Sequence, residues 1–255
     1  MGLVVDIKGL SKTYKIGGEK LPVLKEVYLS AGKGSFISVI GPSGCGKSTL
    51  FRTIAGLEKE FSGTVMVNEQ DIRSNPPRLA YMFQKDLLLP WRTVIKNIVL
   101  PLELSGKLKE ADIKNLEVLI NEFGLAGFEN AYPHELSGGM RQRAALLRTW
   151  LMDGDIILLD EPFGALDALT RINMQDWLIK VWENHRKTVL FITHDIEEAV
   201  YLSDRIFVMS KRPGTIIDNV AIEFERPRNR NMLYTEVFLE YKKRLVTLLK
   251  DDKLL

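Results

Sequence analysis

Hydrophobic and polar positions change rhythm several times along the chain. The first 80 residues hold short β-like runs, Val4–Lys8, Phe36–Ile40 and Gly63–Val67, separated by turn signals such as Gly17-Gly18 and Gly32-Lys33-Gly34. Ser48–Leu57 reads as a helix after a Gly-rich turn. Over residues 85–155 the period lengthens, with Ile113, Leu116, Leu119, Ile120 and Phe123 at helical spacing, so this stretch reads as mostly helical. Ile156–Leu159 and Val189–Ile192 are unbroken apolar runs, as parallel strands buried on both faces require. A helical stretch, 165–185, lies between them. Strand, helix, strand with short connections predicts an α/β fold with a parallel sheet and right-handed crossovers. Beyond Arg212-Pro213-Gly214 the signal weakens. Residues 216–224 read as a strand, and Tyr234, Val237, Phe238, Tyr241, Leu245 and Leu248 keep helical spacing. A C-terminal helix is therefore expected to pack one apolar face, with Lys242-Lys243-Arg244 on its solvated side.

Composition narrows the class. Of 255 residues, 45% are apolar and 27% charged, which excludes a disordered, collagenous or coiled-coil chain. Lys and Arg number 35 against 33 Asp and Glu, a net charge of +2, so binding to nucleic acid by bulk charge is not expected. A single cysteine, Cys45, cannot form an internal disulfide and points to a reducing compartment. The opening MGLVVDIKGLSKTYK lacks the apolar core of a signal peptide, and no apolar run reaches membrane-spanning length. The expectation is a soluble cytoplasmic protein, peripheral if it works at a membrane.

Three words carry chemistry. Gly41-Pro42-Ser43-Gly44-Cys45-Gly46-Lys47-Ser48-Thr49 matches the phosphate-binding pattern G-x-x-x-x-G-K-[ST], between an apolar strand and a helix. Glycines let successive N–H groups curl around phosphate oxygens, and the helix dipole points at the same place. Lys47 is expected to reach the β- and γ-phosphates and the Ser48 hydroxyl to hold Mg²⁺. Cys45, beside a helix N-terminus that stabilises thiolates, is expected to be modified by thiol reagents, with Mg-ATP protecting it. In the second word, Ile156–Leu159 ends in Asp160-Glu161, two carboxylates at the edge of an open α/β sheet where ligands bind. Asp160 would hold Mg²⁺ and Glu161 could act as general base on the attacking water; a solvated acidic turn is the plain alternative. The third, Leu136-Ser137-Gly138-Gly139-Met140, precedes a helical run, with Ser137 a good N-cap and the glycines exposing the first N–H groups. It is either an ordinary helix cap or a second anion site. As an anion site it makes sense where two subunits meet head to tail.

Leu136–Met140 is also the word by which the chain resembles the nucleotide-binding subunits of ATP-binding cassette (ABC) transporters. The resemblance runs from about residue 3 to 215, with the motifs in the family's order. It implies a P-loop NTPase of ABC type: one domain over 1–255, with a mainly parallel core sheet (1–84 and 155–215) and an N-terminal antiparallel β subdomain. A helical subdomain (85–154) and a C-terminal extension (216–255) complete it. By the same resemblance Tyr14 stacks on adenine, although an aromatic on a strand edge is the simpler reading. Gln84 is the Q-loop glutamine, reaching Mg²⁺ and water. Asp167, in Gly164-Ala165-Leu166-Asp167, crosses a dimer interface, and His194 contacts the γ-phosphate. His134 and His185 match no catalytic position.

The implied mechanism is an ATP-dependent head-to-tail homodimer holding two ATP molecules. Each lies between the phosphate loop of one copy and Ser137-Gly138-Gly139 of the other, and the dimer opens after hydrolysis. Lys85–Arg92, with Leu87, Leu88, Leu89 and Trp91, is expected to dock a cytoplasmic helix of an integral membrane permease, internal packing being the alternative. Leu89–Val94 and Glu161–Arg171 resemble importers of nitrate, sulfonates and taurine, relatives of which carry pyrimidine precursors of thiamine. A solute-binding protein would then act indirectly, and the chain would sit on the cytoplasmic face of the membrane. The rival classes are an exporter subunit, a soluble ABC ATPase acting on nucleic acid or ribosomes, and a small-molecule kinase.

Overall fold

The Gly17-Gly18 pair, at φ 59° and 89°, closes a long hairpin of β1 (Leu3–Ile16) and β2 (Glu19–Gly32). Glycine takes two successive left-handed φ values at little steric cost. The expected run Val4–Lys8 is the beginning of a strand of 14 residues. Its alternation breaks at Gly9 (φ 64°), where the register with β2 shifts between Ile7 and Leu10, so a period-2 pattern stops there. The computed structural model describes residues 2–107 and 110–251, with no side-chain description for 110–115 and 251. Met1 and 252–255, the outermost residues of the expected domain, lie outside the described residues, as does the Ile113 side chain.

The chain divides by contact into two units, one comprising Met1–Arg78 with Arg186–Leu255, the other Leu79–His185. In the first unit, β3 (Phe36–Ile40) is buried at all five positions. It leads into α1 (Lys47–Ile54), then β4 (Ser62–Val67) and β5 (Gln70–Asp71). The helix expected to reach Leu57 stops three residues earlier. Gly56 turns left-handed (φ 73°), with Gly56 N–H on Thr53 O and Leu57 N–H on Arg52 O, a pair that ends helices by capping the last carbonyls. One antiparallel sheet runs β2-β1-β4-β5.

The second unit contains β6 (Ala80–Met82), α2 (Val94–Ile98), α3 (Leu100–Leu104), α4 (Glu110–Glu122), α5 (Gly138–Trp150), β7 (Ile156–Asp160) and α6 (Ala168–His185). Residues 85–155 fall within this unit and are only partly helical. Residues 85–93 stay outside any helix because the buried Asn97 amide bonds Leu89 N and O and the carbonyls of Arg92 and Thr93. A side chain there takes the place of a backbone ladder. Leu116, Ile120 and Phe123 are buried as the spacing predicts, and Phe123 meets Trp150 and Trp177 edge-on at 6.0 and 4.9 Å. β6 and β7 pair in parallel.

The chain then re-enters the first unit through β8 (Thr188–Ile192), α7 (Ile196–Leu202), β9 (Arg205–Met209), β10 (Ile216–Ala221) and α8 (Glu236–Asp251). β3 lies parallel between β8 and β9, and β10 is antiparallel to β9. The C-terminal helix is present, but two of its expected apolar contacts are not. Tyr234 lies before it and is exposed, and Val237 faces outward, whereas Phe238 and Leu245 are buried. Among the described residues no helix is long and apolar enough to cross a membrane.

Candidate nucleotide site

Each unit carries its own share of the predicted residues. In the first, β3 delivers the chain at Gly41 into the phosphate loop. A Cβ at Gly41 would stand 2.9 Å from Met209 O, and one at Gly46 2.8 Å from Leu24 Cδ2, so neighbouring strands leave no room for side chains. Gly44 and Gly46 adopt φ 74° and 115°, which bends the backbone into a curl ending at the first turn of α1. Lys47 is buried, its Nζ donating to Gly41 O at 2.8 Å and Pro42 O at 3.0 Å. The ammonium is thus held inside the curve of the loop. Pro42, Ser48 and Thr49 are half-buried, and Ser43 and Gly44 exposed.

Cys45 departs from the expectation of a reactive thiol. Its side chain is 1% exposed, so burial rather than thiolate character governs its reactivity. A reagent reaches it only when the loop opens.

His194 leaves the same sheet edge as Gly41. Val39 pairs with Ile192 in the parallel register of β3 and β8, and Thr193 N–H reaches Val39 O at 3.4 Å. Adjacent strands stand about 4.8 Å apart, so the phosphate loop and the exposed His194 emerge side by side. Tyr14, on β1, donates its hydroxyl to Glu58 Oε1 at 2.7 Å, just beyond α1, and Lys12 Nζ meets Glu58 Oε2 at 3.0 Å. Burial and then the Glu58 hydrogen bond push the Tyr14 phenol up. Burial also acts to raise the Glu58 carboxyl, but hydrogen bonds from Tyr14 and Lys12 outweigh it, and the net position is below the ordinary carboxylate range.

In the second unit, Asp160 ends β7 and is 6% exposed. Tyr81, on the paired strand β6, donates to Asp160 Oδ2 at 3.0 Å. Glu161 follows at φ 48°, a left-handed value unusual for a side chain of this size, and Gly164 N–H closes on its carbonyl at 3.1 Å. Gln84 Nε2 donates to Glu161 Oε2 at 3.2 Å. Gln84, Asp160 and Glu161, 77 positions apart at the extremes, are thereby gathered at one end of the β6–β7 pair. Tyr81 was missed by the sequence reading; its signal was a hydroxyl between two buried apolar residues of a short strand.

Ser137 caps α5, its Oγ accepting from Met140 N at 3.3 Å. Gly139 packs against α6, where a Cβ would come within 2.8 Å of Thr170 Cγ2. Arg141 Nη1 donates to Leu136 O at 2.7 Å and its Nε lies 3.5 Å from Asp86. Asp167 caps α6 by accepting Thr170 N–H at 3.0 Å, and that bond holds its exposed carboxyl below the usual range. Trp91 is 72% exposed and Leu87 also open, whereas Leu88 is buried. The neighbouring groove of about 350 Å³ is lined by Met82, Phe83, Leu87, Leu89, Leu104 and Met152, among others. His185 meets Glu122 at 3.0 Å, and the exposed His134 stacks near Tyr132.

Comparison with known proteins identifies a family. A model of the family described as "ABC transporter" matches residues 24–164. The aliphatic sulfonates import ATP-binding protein SsuB of Bacillus cereus is 41% identical over 96% of this chain and 95% of its own length. The formylaminopyrimidine import ATP-binding protein ThiZ of Halalkalibacterium halodurans is 45% identical over 75% of each chain. Among solved structures, the dimeric bacterial ABC transporter cassette MJ0796 aligns with a TM-score of 0.73 and 32% identity, over 87% of this chain and all of that one. The same cassette has been solved in a post-hydrolysis state bound to ADP and Pi.

Proposed function

The chain belongs to the ABC transporter family, and from that premise we propose that it is the ATP-hydrolysing subunit of an importer of a small solute. The observation that carries the hydrolytic assignment is the Gln84–Glu161 contact beside the buried Asp160, which sets an amide and a candidate base together at a strand end. The phosphate loop of the first unit carries the nucleotide-binding assignment. Its curl admits no side chain at Gly41 or Gly46, leaving backbone N–H groups to face an anion.

Tyr14 stacks on the adenine, and Gly41–Thr49 bind the phosphates, with Lys47 on the β- and γ-oxygens. His194, beside the loop, contacts the γ-phosphate. Among the described residues no cluster of three or more His, Cys, Asp or Glu side chains stands ready to hold a metal. The oxygen donors, a hydroxyl at Ser48 in the first unit and, in the second, an amide at Gln84 and a carboxylate at Asp160, are each of the kind that suits Mg²⁺. Mg²⁺ bound there would neutralise phosphate charge. Glu161 takes the proton of the attacking water, and Gln84 orients both.

Ser137-Gly138-Gly139 offers the first N–H groups of α5 to the γ-phosphate of a second copy, giving a head-to-tail homodimer that closes on ATP, with Asp167 at its interface. Hydrolysis cleaves the γ-phosphate from ADP and so breaks the bridge that holds the dimer together. The Lys85–Arg92 segment with its apolar groove docks a helix of an integral membrane permease, placing the chain on the cytoplasmic face. The import names of SsuB and ThiZ support the import direction, and the solute is recognised by permease and solute-binding protein rather than by this chain. Neither an exporter nor a nucleic-acid-dependent ATPase has comparable support.

The test uses the Glu161→Gln chain, tagged and expressed in its native cells, with membranes solubilised in Mg-ATP. Co-purification of a multi-span membrane protein is the expected result. A soluble dimer that brings down nucleic acid or ribosomes instead would overturn the transport assignment.

A further inference from the structure

Three arginines outside the nucleotide site grip the helix that follows His194. Between β10 and α8 the chain passes through a loop, 222–229, into a 3-10 turn, Arg230–Tyr234. Arg226 and Arg228 on that loop and Arg230 at the start of the turn each reach α7 or its end. Arg226 Nη2 donates to Leu202 O at 2.8 Å and to Asp204 Oδ1 at 2.7 Å. Arg228, only 7% exposed, donates from Nη1 to Tyr201 O at 2.9 Å and Val200 O at 3.2 Å. The Arg230 guanidinium lies 4.4 Å from the Tyr201 ring centroid. The last carbonyls of a helix lack internal partners and carry its negative dipole end, so cations placed there satisfy both needs. Asp204 extends the grip to the sheet, accepting Phe36 N–H at 2.8 Å and donating its own N–H to Phe36 O at 2.7 Å.

The other end of α7 is tied just as closely. Asp195 Oδ1 accepts Glu198 N–H at 3.1 Å, and Thr193 Oγ1 accepts Asp195 N–H at 3.0 Å. His194 sits between those two capping residues. From α8, Lys242 forms an ion pair with Glu197. A helix of seven residues, about 10 Å long, has little stability of its own. Its placement is set by packing, which buries five of its seven residues, and by what holds its ends, and His194 lies two residues before its first turn.

We infer that Arg226, Arg228 and Arg230 are positioning residues, through which the C-terminal extension fixes α7 and thereby the orientation of His194 toward the γ-phosphate. This rests on the assignment of His194 made above. The chain holds three histidines, and the other two, His134 and His185, lie in the second unit and serve as internal references. Imidazole proton NMR across pH, with ATPase kinetics, is measured for the full chain and for Arg228→Met, Arg228→Lys and Arg230→Ala.

In Arg228→Met the His194 resonance shifts or broadens while those of His134 and His185 stay in place. The kcat falls about fivefold, with KM for ATP changed by less than about twofold. Arg228→Lys recovers part of both effects, and Arg230→Ala shows them in smaller measure, even if Arg228→Met does not fold. A role confined to stability would lower Tm but leave the His194 signal and the kcat of the folded enzyme unchanged, and that result overturns the inference. If His194→Ala itself left kcat intact, the assignment of His194 would fail and the inference with it, by a separate and recognisable result.

Discussion

Replacement of Glu161 separates chemistry from strain. Glu161→Gln keeps side-chain volume, the left-handed backbone at φ 48° and an acceptor for the Gln84 amide 3.2 Å away. What it loses is the basic carboxylate. A positioned general base contributes about 10²–10⁴ in rate, or roughly 3–5 kcal/mol of barrier. Phosphate release at saturating Mg-ATP is therefore expected to drop at least about a hundredfold, with nucleotide affinity by calorimetry unchanged and an ATP-dependent dimer accumulating. A Glu161→Gln chain that keeps more than about a tenth of the normal rate removes Glu161 as base. The backbone gives a second, independent reading. Glu161→Ala and Glu161→Gly both lose the contact with Gln84, but only glycine relieves the left-handed cost of about 1–2 kcal/mol. Part of that gain is offset by the freer unfolded chain. The glycine variant should melt about 2–4 °C above the alanine variant, although both are inactive. Equal melting temperatures, or a lower one for glycine, would refute the claim that strain is held at this residue.

Lys47→Ala removes the buried ammonium bonded to Gly41 O and Pro42 O and a charge for the phosphates. Calorimetric ATP affinity should fall by at least about tenfold, and an unchanged affinity would separate the loop from nucleotide binding. Tyr14→Phe keeps the ring for adenine but deletes the donor to Glu58, so ATP affinity holds while stability drops by about 1 kcal/mol at neutral pH. Because Glu58 is held below its usual range, its contribution is present above its unfolded pKa and is lost as pH falls through the lower folded value. The difference in Tm between wild type and Tyr14→Phe should therefore hold from neutral pH down to about 4.5, the ordinary glutamate value, and shrink as pH falls further; a difference that stays constant below that point would sink the linkage. Trp91→Ala, at a position 72% exposed, should leave Tm and basal ATPase unchanged and abolish permease stimulation and transport. Transport at the normal rate would show that Trp91 faces no partner.

What could be read along the chain was what is written contiguously. Gly41–Thr49 needs no distant partner to be recognised, because its function lies in its own backbone. Phe36–Ile40 and Ile156–Leu159 stood out since burial on both faces leaves no polar position to interrupt them. β9 escaped because its apolar run, Ile206–Met209, follows closely on that of α7, Ala199–Leu202, and periodicity cannot divide two short runs. Tyr234 and Val237 kept helical spacing, but spacing predicts only which residues share a face, not whether anything covers it. Contacts across long separations were out of reach for the same reason. Tyr81 and Asp160, 79 positions apart, meet because β6 and β7 pair in a register that aligns Tyr81 with Leu158. The arginines of the C-terminal extension are the extreme case. In sequence they are charges in a weak-signal loop, since their partners, the last carbonyls of α7, Asp204 and the Tyr201 ring, lie at least 22 positions away. Only the placement of α7 decides which carbonyls lack a donor, and so gives those three charges a role.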